Sequence, residues 1–153
     1  MLRLALIVVA ALALPALPAA VAQDMEPGTK ADAGIRDGSE LRRLTSARRA
    51  WRNAGVRSYS FRITRACFCP RAENIRIVVR RGRPAAATGV ELLDVATVPR
   101  MFRRIQRSID GRVAGLTVRY GKRGVPSSIS IDGSLMVADD EVGYTITRFT
   151  PLH

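Results

Sequence analysis

The sequence is poor in the residues that most catalytic and metal-binding sites require. It has one histidine, His153, and two cysteines, Cys67 and Cys69, among 153 residues. A single imidazole at the last position argues against His-dependent triads, and together with two thiols it does not supply four zinc ligands. No Gly-x-Ser-x-Gly element occurs, and the glycine spacing before Lys122 does not fit a phosphate-binding loop. The sequence therefore indicates no recognisable catalytic constellation, no metal and no cofactor, and it favours a non-enzymatic protein.

Long apolar runs are also scarce, and the one that occurs lies at the start of the chain. Arg3 supplies a positive charge, residues 4–14 are uniformly apolar, and residues 20–22 provide the small side chains that precede a signal-peptidase cut. A transmembrane helix needs about 20 apolar residues, and Pro15 and Pro18 interrupt this stretch. The pattern predicts a cleaved signal peptide over residues 1–22, export to the bacterial periplasm or beyond the cell, and no transmembrane segment after cleavage.

The rest of the chain has the length of one domain. Cleavage would leave 131 of the 153 residues. Residues 23–36 combine Pro, Gly, Asp and Lys without an apolar period, which predicts a flexible leader. Residues 37–153 are then expected to form a single domain with a core of its own.

Acidic residues and lysines are few compared with arginines. Lys and Arg total 25 against 13 Asp and Glu, which gives a formal net charge of +12. Of these cations only Lys30 and Lys122 are lysines. An excess of this size favours solubility and anionic partners and carries no information about the fold.

Hydrophobic periodicity divides residues 37–153 into helices and strands. Apolar residues at helical spacing predict helices over residues 37–54, with Asp37 as the cap, and over 97–109, with Thr97 as the cap. Alternation predicts five strands, near residues 59–67, 75–79, 116–120, 128–132 and 142–147, and a weaker one near 84–88. Because several connections are short, antiparallel pairing is favoured. The predicted fold is α+β: a single domain with an antiparallel sheet of five to six strands packed against two helices, in the order α-β-β-(β)-α-β-β-β.

The apolar residues that recur on one side of each predicted helix or strand also indicate which side chains form the core. The first helix is expected to bury one stripe: Leu41, Leu44, Ala47, Trp51 and Ala54. In the second strand, Ile75, Ile77 and Val79 share the apolar phase. The large side chains expected to pack together are Trp51, Phe61, Ile77, Phe102, Ile105, Val118, Ile131 and Tyr144.

Several local motifs occur together in an order that matches a known family. They are Trp51, Ser58-Tyr59, Cys67-Phe68-Cys69-Pro70, Val79-Arg80-Arg81-Gly82, Thr97 with Met101-Phe102, Val118-Arg119-Tyr120, Gly124-x-Pro126, Ile131-Asp132 and Asp139-Asp140-Glu141. Over about residues 40–150 the chain resembles the bacterial exported proteins catalogued as domain of unknown function 6174. It departs from them at Gly121, where an Asp is usual, and at Val125, where an aromatic residue is common. The resemblance implies export and the predicted architecture, and it implies no chemistry.

Cys67 and Cys69 flank one residue at the end of the first predicted strand. On an extended strand their Cα atoms would lie about 6.6 Å apart, at the long end of disulfide geometry, so a bridge between them requires a kink. Pro70 keeps Cys69 extended, and the small ring restricts the entropic gain to about 1.5 kcal/mol. Export favours oxidation. Three interpretations remain open: a local disulfide that shapes the strand end, a thiol–disulfide reagent, and intermolecular pairing or free thiols.

Two charged clusters complete the candidate sites. The face of the second helix opposite its apolar stripe carries four arginines, which either contact phosphates or form a solvated surface. These are Arg100, Arg103, Arg104 and Arg107. The acidic residues Asp132, Asp139, Asp140 and Glu141 lack the spacing of the helical calcium loop, so solvation or pairing with arginine is expected of them.

Together these patterns predict an exported, non-enzymatic binding or envelope-associated module. Its expected partner is an anionic envelope component or another exported protein. The alternative is a thiol–disulfide redox protein that uses Cys67 and Cys69.

Overall fold

The computed structural model describes residues 30–70, 72–85, 92–134, 136–137 and 139–152. The predicted signal peptide, residues 23–29 of the predicted leader and residues 86–88 of the weak strand lie outside this part of the chain. The described residues form three α-helices and six strands. In chain order these are α1 (Ala33–Arg36), α2 (Ser39–Ala54), β1 (Tyr59–Cys67), β2 (Ala72–Arg80), β3 (Arg83–Pro84), α3 (Val98–Asp110), β4 (Gly115–Tyr120), β5 (Pro126–Asp132) and β6 (Val142–Pro151).

The strands form one antiparallel sheet in the order β3-β2-β1-β6-β5-β4. The β4–β5 and β1–β2 pairs are local, whereas β1 meets β6 at the centre of the sheet across most of the chain. The predicted α+β class and the five to six antiparallel strands are therefore confirmed.

The helices cover one face of this sheet. In β1, Phe61 and Ile63 point into the core and alternate with Arg62, which is less buried and faces the other side. All eight large side chains expected in the core are buried in one cluster, from Trp51 on α2 to Tyr144 on β6. Alternation therefore gives an apolar face covered by the helices and a second face, lined by Arg, Ser and Thr, which none of the described helices covers; we call the second one the uncovered face.

Helix α3 follows its sequence pattern closely. The Thr97 hydroxyl accepts a hydrogen bond from the Arg100 N–H at 3.2 Å, and Pro99 lies in the first turn. The N–H of Val98 donates to the buried phenol oxygen of Tyr59 at 2.9 Å. Burial raises the pKa of Tyr59 to about 12, so the phenol stays protonated. This bond ties the start of α3 to β1 and fixes where the rest of the helix lies.

Helix α2 differs from the prediction at its first turn. It begins at Ser39, after Gly38 in the left-handed region at φ 74°, and the Asp37 carboxylate accepts from the Ser39 N–H at 2.7 Å. Glu40, one turn before Leu44, is buried, and the predicted Leu41 is 44% exposed. The stripe therefore continues from Leu44 to position 40 because α1 packs against this end of α2.

The predicted leader does not extend to residue 36, since Ala31 is buried and residues 33–36 form α1. Asp32 caps α1 by accepting from the Gly34 N–H at 2.8 Å, and Ile35 is buried. The N–H of Asp32 donates to the Val113 carbonyl oxygen at 2.9 Å. One helical turn has no measurable apolar period, which explains why the sequence pattern did not predict it.

One predicted core residue of β2 lies at the surface. Ile75 is 40% exposed, whereas Ile77 and Val79 are buried as expected. Ile75 follows Asn74, which has a φ of 53°, at an irregularity in the β1–β2 pairing. The short β3 pairs only with the far end of β2, at Val79 and Arg80, among the described residues.

Candidate anion-binding surface

The packing of α3 forces its arginines outward. Its buried residues include Val98, Met101, Phe102, Ile105 and Ile109. Arg100, Arg103, Arg104 and Arg107 occupy the remaining positions, as the sequence predicts, with Arg103 and Arg107 exposed and the other two half-buried. The structure thus places four guanidinium groups on one helix.

These arginines do not form four free charges, because the turn before α3 brings a carboxylate to them. Oδ2 of Asp94 lies 3.4 Å from Nη2 of Arg107 and 3.7 Å from Nη1 of Arg104. Nη1 of Arg100 donates to the Leu93 carbonyl oxygen at 2.8 Å. Burial raises the pKa of Tyr144, and the nearby Asp94 carboxylate raises it further. Sequence reasoning missed Asp94, since neither spacing nor periodicity relates it to the helix.

A groove of about 320 Å³ lies at this end of the surface. Its lining residues are Leu93, Asp94, Arg100, Arg103 and Arg107. Arg104 is not among them, and its Nε is buried without a hydrogen-bond partner in the described structure. Three of the four predicted arginines therefore converge on one concave site, and the fourth packs behind it against Asp94.

A second groove, of about 360 Å³, lies where α2 meets α3. Its floor is apolar, and Arg103 belongs to both grooves. Arg48 fixes the two helices together by donating to Oε1 of Gln106 at 2.8 Å and to the Phe102 carbonyl oxygen at 3.2 Å. The lining residues of this groove are Arg48, Trp51, Arg52, Pro99, Phe102 and Arg103. We call the two grooves together the α3 arginine surface; sequence reasoning did not assign Arg48 and Arg52 to it.

The cysteine pair lies at the far end of β1. The structure joins Cys67 and Cys69 in a disulfide with the Cα atoms 5.1 Å apart, because β1 ends at Cys67 and the chain bends through Phe68. This bend is the kink that the sequence geometry required. The Phe68 side chain between them is 80% exposed.

A hollow of about 550 Å³ adjoins this disulfide. Cys67, Phe68, Asp139 and Glu141 are among its lining residues. Reactive thiolates usually have electropositive surroundings, and the two carboxylates give this hollow the opposite character. A redox role of the pair stays a prediction.

The comparison with known families covers most of the folded chain. A model described as a family of unknown function, DUF6174, matches residues 43–151, from the first turns of α2 to the last residue of β6. The chain belongs to the DUF6174 family. Neither the curated proteins nor the solved structures contain a significant match. The resemblance inferred from the sequence motifs is confirmed, and the family carries no assigned activity.

The two departures of this DUF6174 domain from the usual motif lie in one turn, in which Gly121 is exposed and residues 124–126 are buried. The N–H of Gly121 donates to the Val125 carbonyl oxygen at 2.8 Å, and the Val125 side chain is buried. Gly124 has a φ of 73°, and a Cβ there would overlap the carbonyl oxygen of Ala47 on α2. The turn therefore packs the connection between β4 and β5 closely against α2.

The acidic cluster of the DUF6174 domain is spread along the β5–β6 connection. Asp139 and Glu141 are exposed, while Asp132 and Asp140 are half-buried. Within the described ranges, no group of three or more His, Cys, Asp or Glu side chains is arranged to hold a metal ion. Over the same ranges, none of the helices combines the length and the apolar character needed to cross a bilayer.

Proposed function

We propose that this protein is an exported, non-enzymatic binding module that holds an anionic envelope component on the α3 arginine surface. The observation that carries the proposal is the convergence of five guanidinium groups on two adjoining grooves, whose described lining includes a single carboxylate, Asp94. Arginine binds phosphate and carboxylate groups through paired, charge-assisted hydrogen bonds. A surface of this composition attracts anions and retains a positive charge after the internal ion pairs have formed.

The same chemistry supports binding in preference to catalysis. A guanidinium group stays protonated at every physiological pH, so it neither takes up nor releases a proton during a reaction. The surface therefore holds and orients an anion without acid–base chemistry of its own.

The second groove favours an amphiphilic anion over a uniformly polar one. Trp51, Pro99 and Phe102 line this groove together with Arg52 and Arg103, so apolar and cationic side chains border the same space. A lipid or lipopolysaccharide presents phosphates beside acyl chains, and it matches both features. Nucleic acid and heparin match the charges alone.

Salt-dependent retention tests the proposal directly. The triple variant Arg100→Gln, Arg103→Gln, Arg107→Gln is compared with the wild type on immobilised lipopolysaccharide and on heparin. For each contact with an anionic group that the variant loses, its slope of log affinity against log salt should be less steep than that of the wild type by about 0.7–0.9. Arg103 and Arg107 are exposed and Arg100 is half-buried. Charges at such positions contribute little to folding, so the melting temperature should change little.

The matched control removes three charges elsewhere: Arg49→Gln, Arg80→Gln, Arg119→Gln, all at exposed positions away from both grooves. The control should keep most of the wild-type slope. If the two triple variants lose the same slope, attraction is diffuse and the α3 arginine surface is only a solvated face. Mass analysis of the secreted protein tests export separately, and the expected N-terminus is Gln23.

A thiol–disulfide activity is the second candidate, because the disulfide lies beside an open hollow and a highly exposed aromatic side chain, Phe68. This activity would be supported if the wild type catalyses the reduction of insulin and the Cys69→Ser variant does not. Equal rates for the two proteins would leave the disulfide as a local feature of the strand end.

A further inference from the structure

The uncovered face of the sheet carries a second concentration of positive charge. Arg62 on β1 stands directly opposite Arg76 on β2 in the antiparallel register. Both lie on the face away from α2 and α3, because the neighbouring Phe61 and Ile77 are in the core. Like charges directly opposite each other destabilise a strand pair. Neither arginine forms an ion pair with another described residue, so no carboxylate in this part of the protein offsets the repulsion.

A β-bulge adds a third arginine to the same place. Ser60 pairs with Thr150 and Arg62 pairs with Thr147, so β6 has one more residue than β1 in this interval. The bulge gives Arg148 a φ of 50°, a backbone conformation that is uncommon for a residue other than glycine. Bulges of this kind redirect side chains.

The bulge changes which residues of β6 point into the core: Tyr144 and Ile146 are buried, and regular alternation would place residue 148 on the same side. The ring of Phe149 packs with Trp51 and Tyr59, at centroid distances of 5.9 and 5.2 Å. Arg148 is exposed and lines the hollow on the other face. The aromatic contacts thereby hold the strained backbone that presents the Arg148 guanidinium group.

The three arginines surround a hollow of about 220 Å³. Its other lining residues are Ser60, Phe61 and Thr150, so the lining combines guanidinium groups with two hydroxyls and includes no carboxylate among the described residues. Nη1 of Arg62 donates to the Asn74 carbonyl oxygen at 3.1 Å, which holds one of these groups in place. Convergent donors of this kind suit a tetrahedral oxyanion, which accepts hydrogen bonds on every side.

We propose that this hollow is an anion site for a phosphate or sulfate group, separate from the α3 arginine surface and on the opposite side of the sheet. A bound oxyanion would offset the repulsion between Arg62 and Arg76 and accept hydrogen bonds from the surrounding guanidinium groups. With both sites occupied, one domain bridges two anionic groups. The site does not depend on the function proposed for α3.

Titration with inorganic phosphate at constant ionic strength, followed by amide NMR shifts, tests the site. Saturable shifts are expected at Ser60, Arg62 and Thr150. They should persist in the Arg100→Gln, Arg103→Gln, Arg107→Gln variant, which separates this site from the α3 arginine surface.

Removing two of the guanidinium groups should weaken phosphate binding at least about tenfold. The variant is Arg62→Gln, Arg76→Gln, and its matched control is Arg49→Gln, Arg119→Gln, which removes the same charge outside the hollow. Because the mutual repulsion disappears, the first variant should melt no lower than the wild type in phosphate-free chloride buffer. Arg148→Gly suits the left-handed backbone and should weaken phosphate binding without loss of stability.

Vesicles distinguish the source of the anion. Phosphatidic acid in phosphatidylcholine displays a phosphate monoester on a surface, and phosphatidylcholine alone is the reference. Retention on phosphatidic acid that Arg62→Gln, Arg76→Gln abolishes supports a surface-displayed group, whereas binding of inorganic phosphate alone supports a small free ligand. Equal phosphate affinity in this variant and its matched control, or no saturable shift at the hollow, would overturn the proposal.

Discussion

Replacement of Asp94 by Asn is the most informative single change on the α3 arginine surface. The carboxylate contacts Arg107 at 3.4 Å and Arg104 at 3.7 Å, so Asn at this position removes one negative charge and keeps the shape of the side chain. If anions bind among these arginines, removal of the internal counter-charge should strengthen binding. If the surface is only solvated, the change should cost a little stability and have no effect on anion binding.

The cost in stability follows from the exposure of the partners. The side chain of Asp94 is 36% exposed, and those of Arg104 and Arg107 are 32% and 59% exposed. Ion pairs in such surroundings contribute about 0.2–1 kcal/mol each because water screens them. Asp94 takes part in two such pairs, so the free energy of unfolding should fall by no more than about 2 kcal/mol, which corresponds to about ten degrees in melting temperature for a domain of this size.

The gain in binding is of similar size and opposite sign. A carboxylate about 6 Å from a bound phosphate repels it by about 0.7 kcal/mol in water, which is a factor of about three in affinity. The freed guanidinium groups should also steepen the salt slope by up to about 0.9 for one further phosphate contact.

The affinity for lipopolysaccharide is measured at several salt concentrations between low and physiological. These measurements give both the gain in affinity and the change in the salt slope. Asp110→Asn is the matched control, since Asp110 ends the same helix outside both grooves and accepts from Nε2 of Gln106 at 2.9 Å. It changes the net charge equally and should alter binding less. Identical slopes for the two variants would refute the reasoning, because position on the surface would then have no influence.

Three further predictions concern the fold, and thermal or denaturant melting checks each of them. Phe102→Ala should lower the free energy of unfolding by about 3–5 kcal/mol, since the side chain is 4% exposed; an unchanged melting temperature would show that α3 does not pack as described. Gly124→Ala should destabilise more than Gly82→Ala, because both have positive φ but only Gly124 faces the Ala47 backbone; equal costs would contradict that contact. Arg43→Ala removes the guanidinium group that lies 2.6 Å from the buried Glu40 carboxylate and should cost about 2 kcal/mol, unlike Arg49→Ala at the exposed face.

Local signals explain why part of this fold could be predicted from the sequence. Helix α3 has an apolar stripe, a Thr97 cap and an early proline within 13 residues, so its bounds and its buried face follow from the periodicity alone. Apolar and polar residues alternate clearly in strands β1 and β4 to β6. This alternation predicts which side chains are buried, whichever strand lies alongside. The family assignment rests on the same local motifs.

The first turn of α2 shows where local signals fail. Glu40 and Leu41 are adjacent, and periodicity favours burying the leucine. The structure buries Glu40 because its carboxylate lies 2.6 Å from Nη1 of Arg43. Nη2 of Arg43 donates to the Val118 carbonyl oxygen at 2.6 Å, on the edge strand β4. Arg43 and Val118 are 75 positions apart, so the helical periodicity of α2 gives no indication of this contact.

For this protein, the sequence by itself determined the fold class, the family, the outward face of α3 and the eight large side chains of the core. Each depends on periodicity or on motifs within a few residues. Only the tertiary structure placed Asp94 beside Arg104 and Arg107, and Arg148 near Arg62 and Arg76. The turn before α3, the register of β1 on β2 and the bulge in β6 decide these contacts. Guanidinium and carboxylate groups act over a few ångströms, so the charge of a site is set by packing between distant segments, which composition does not encode.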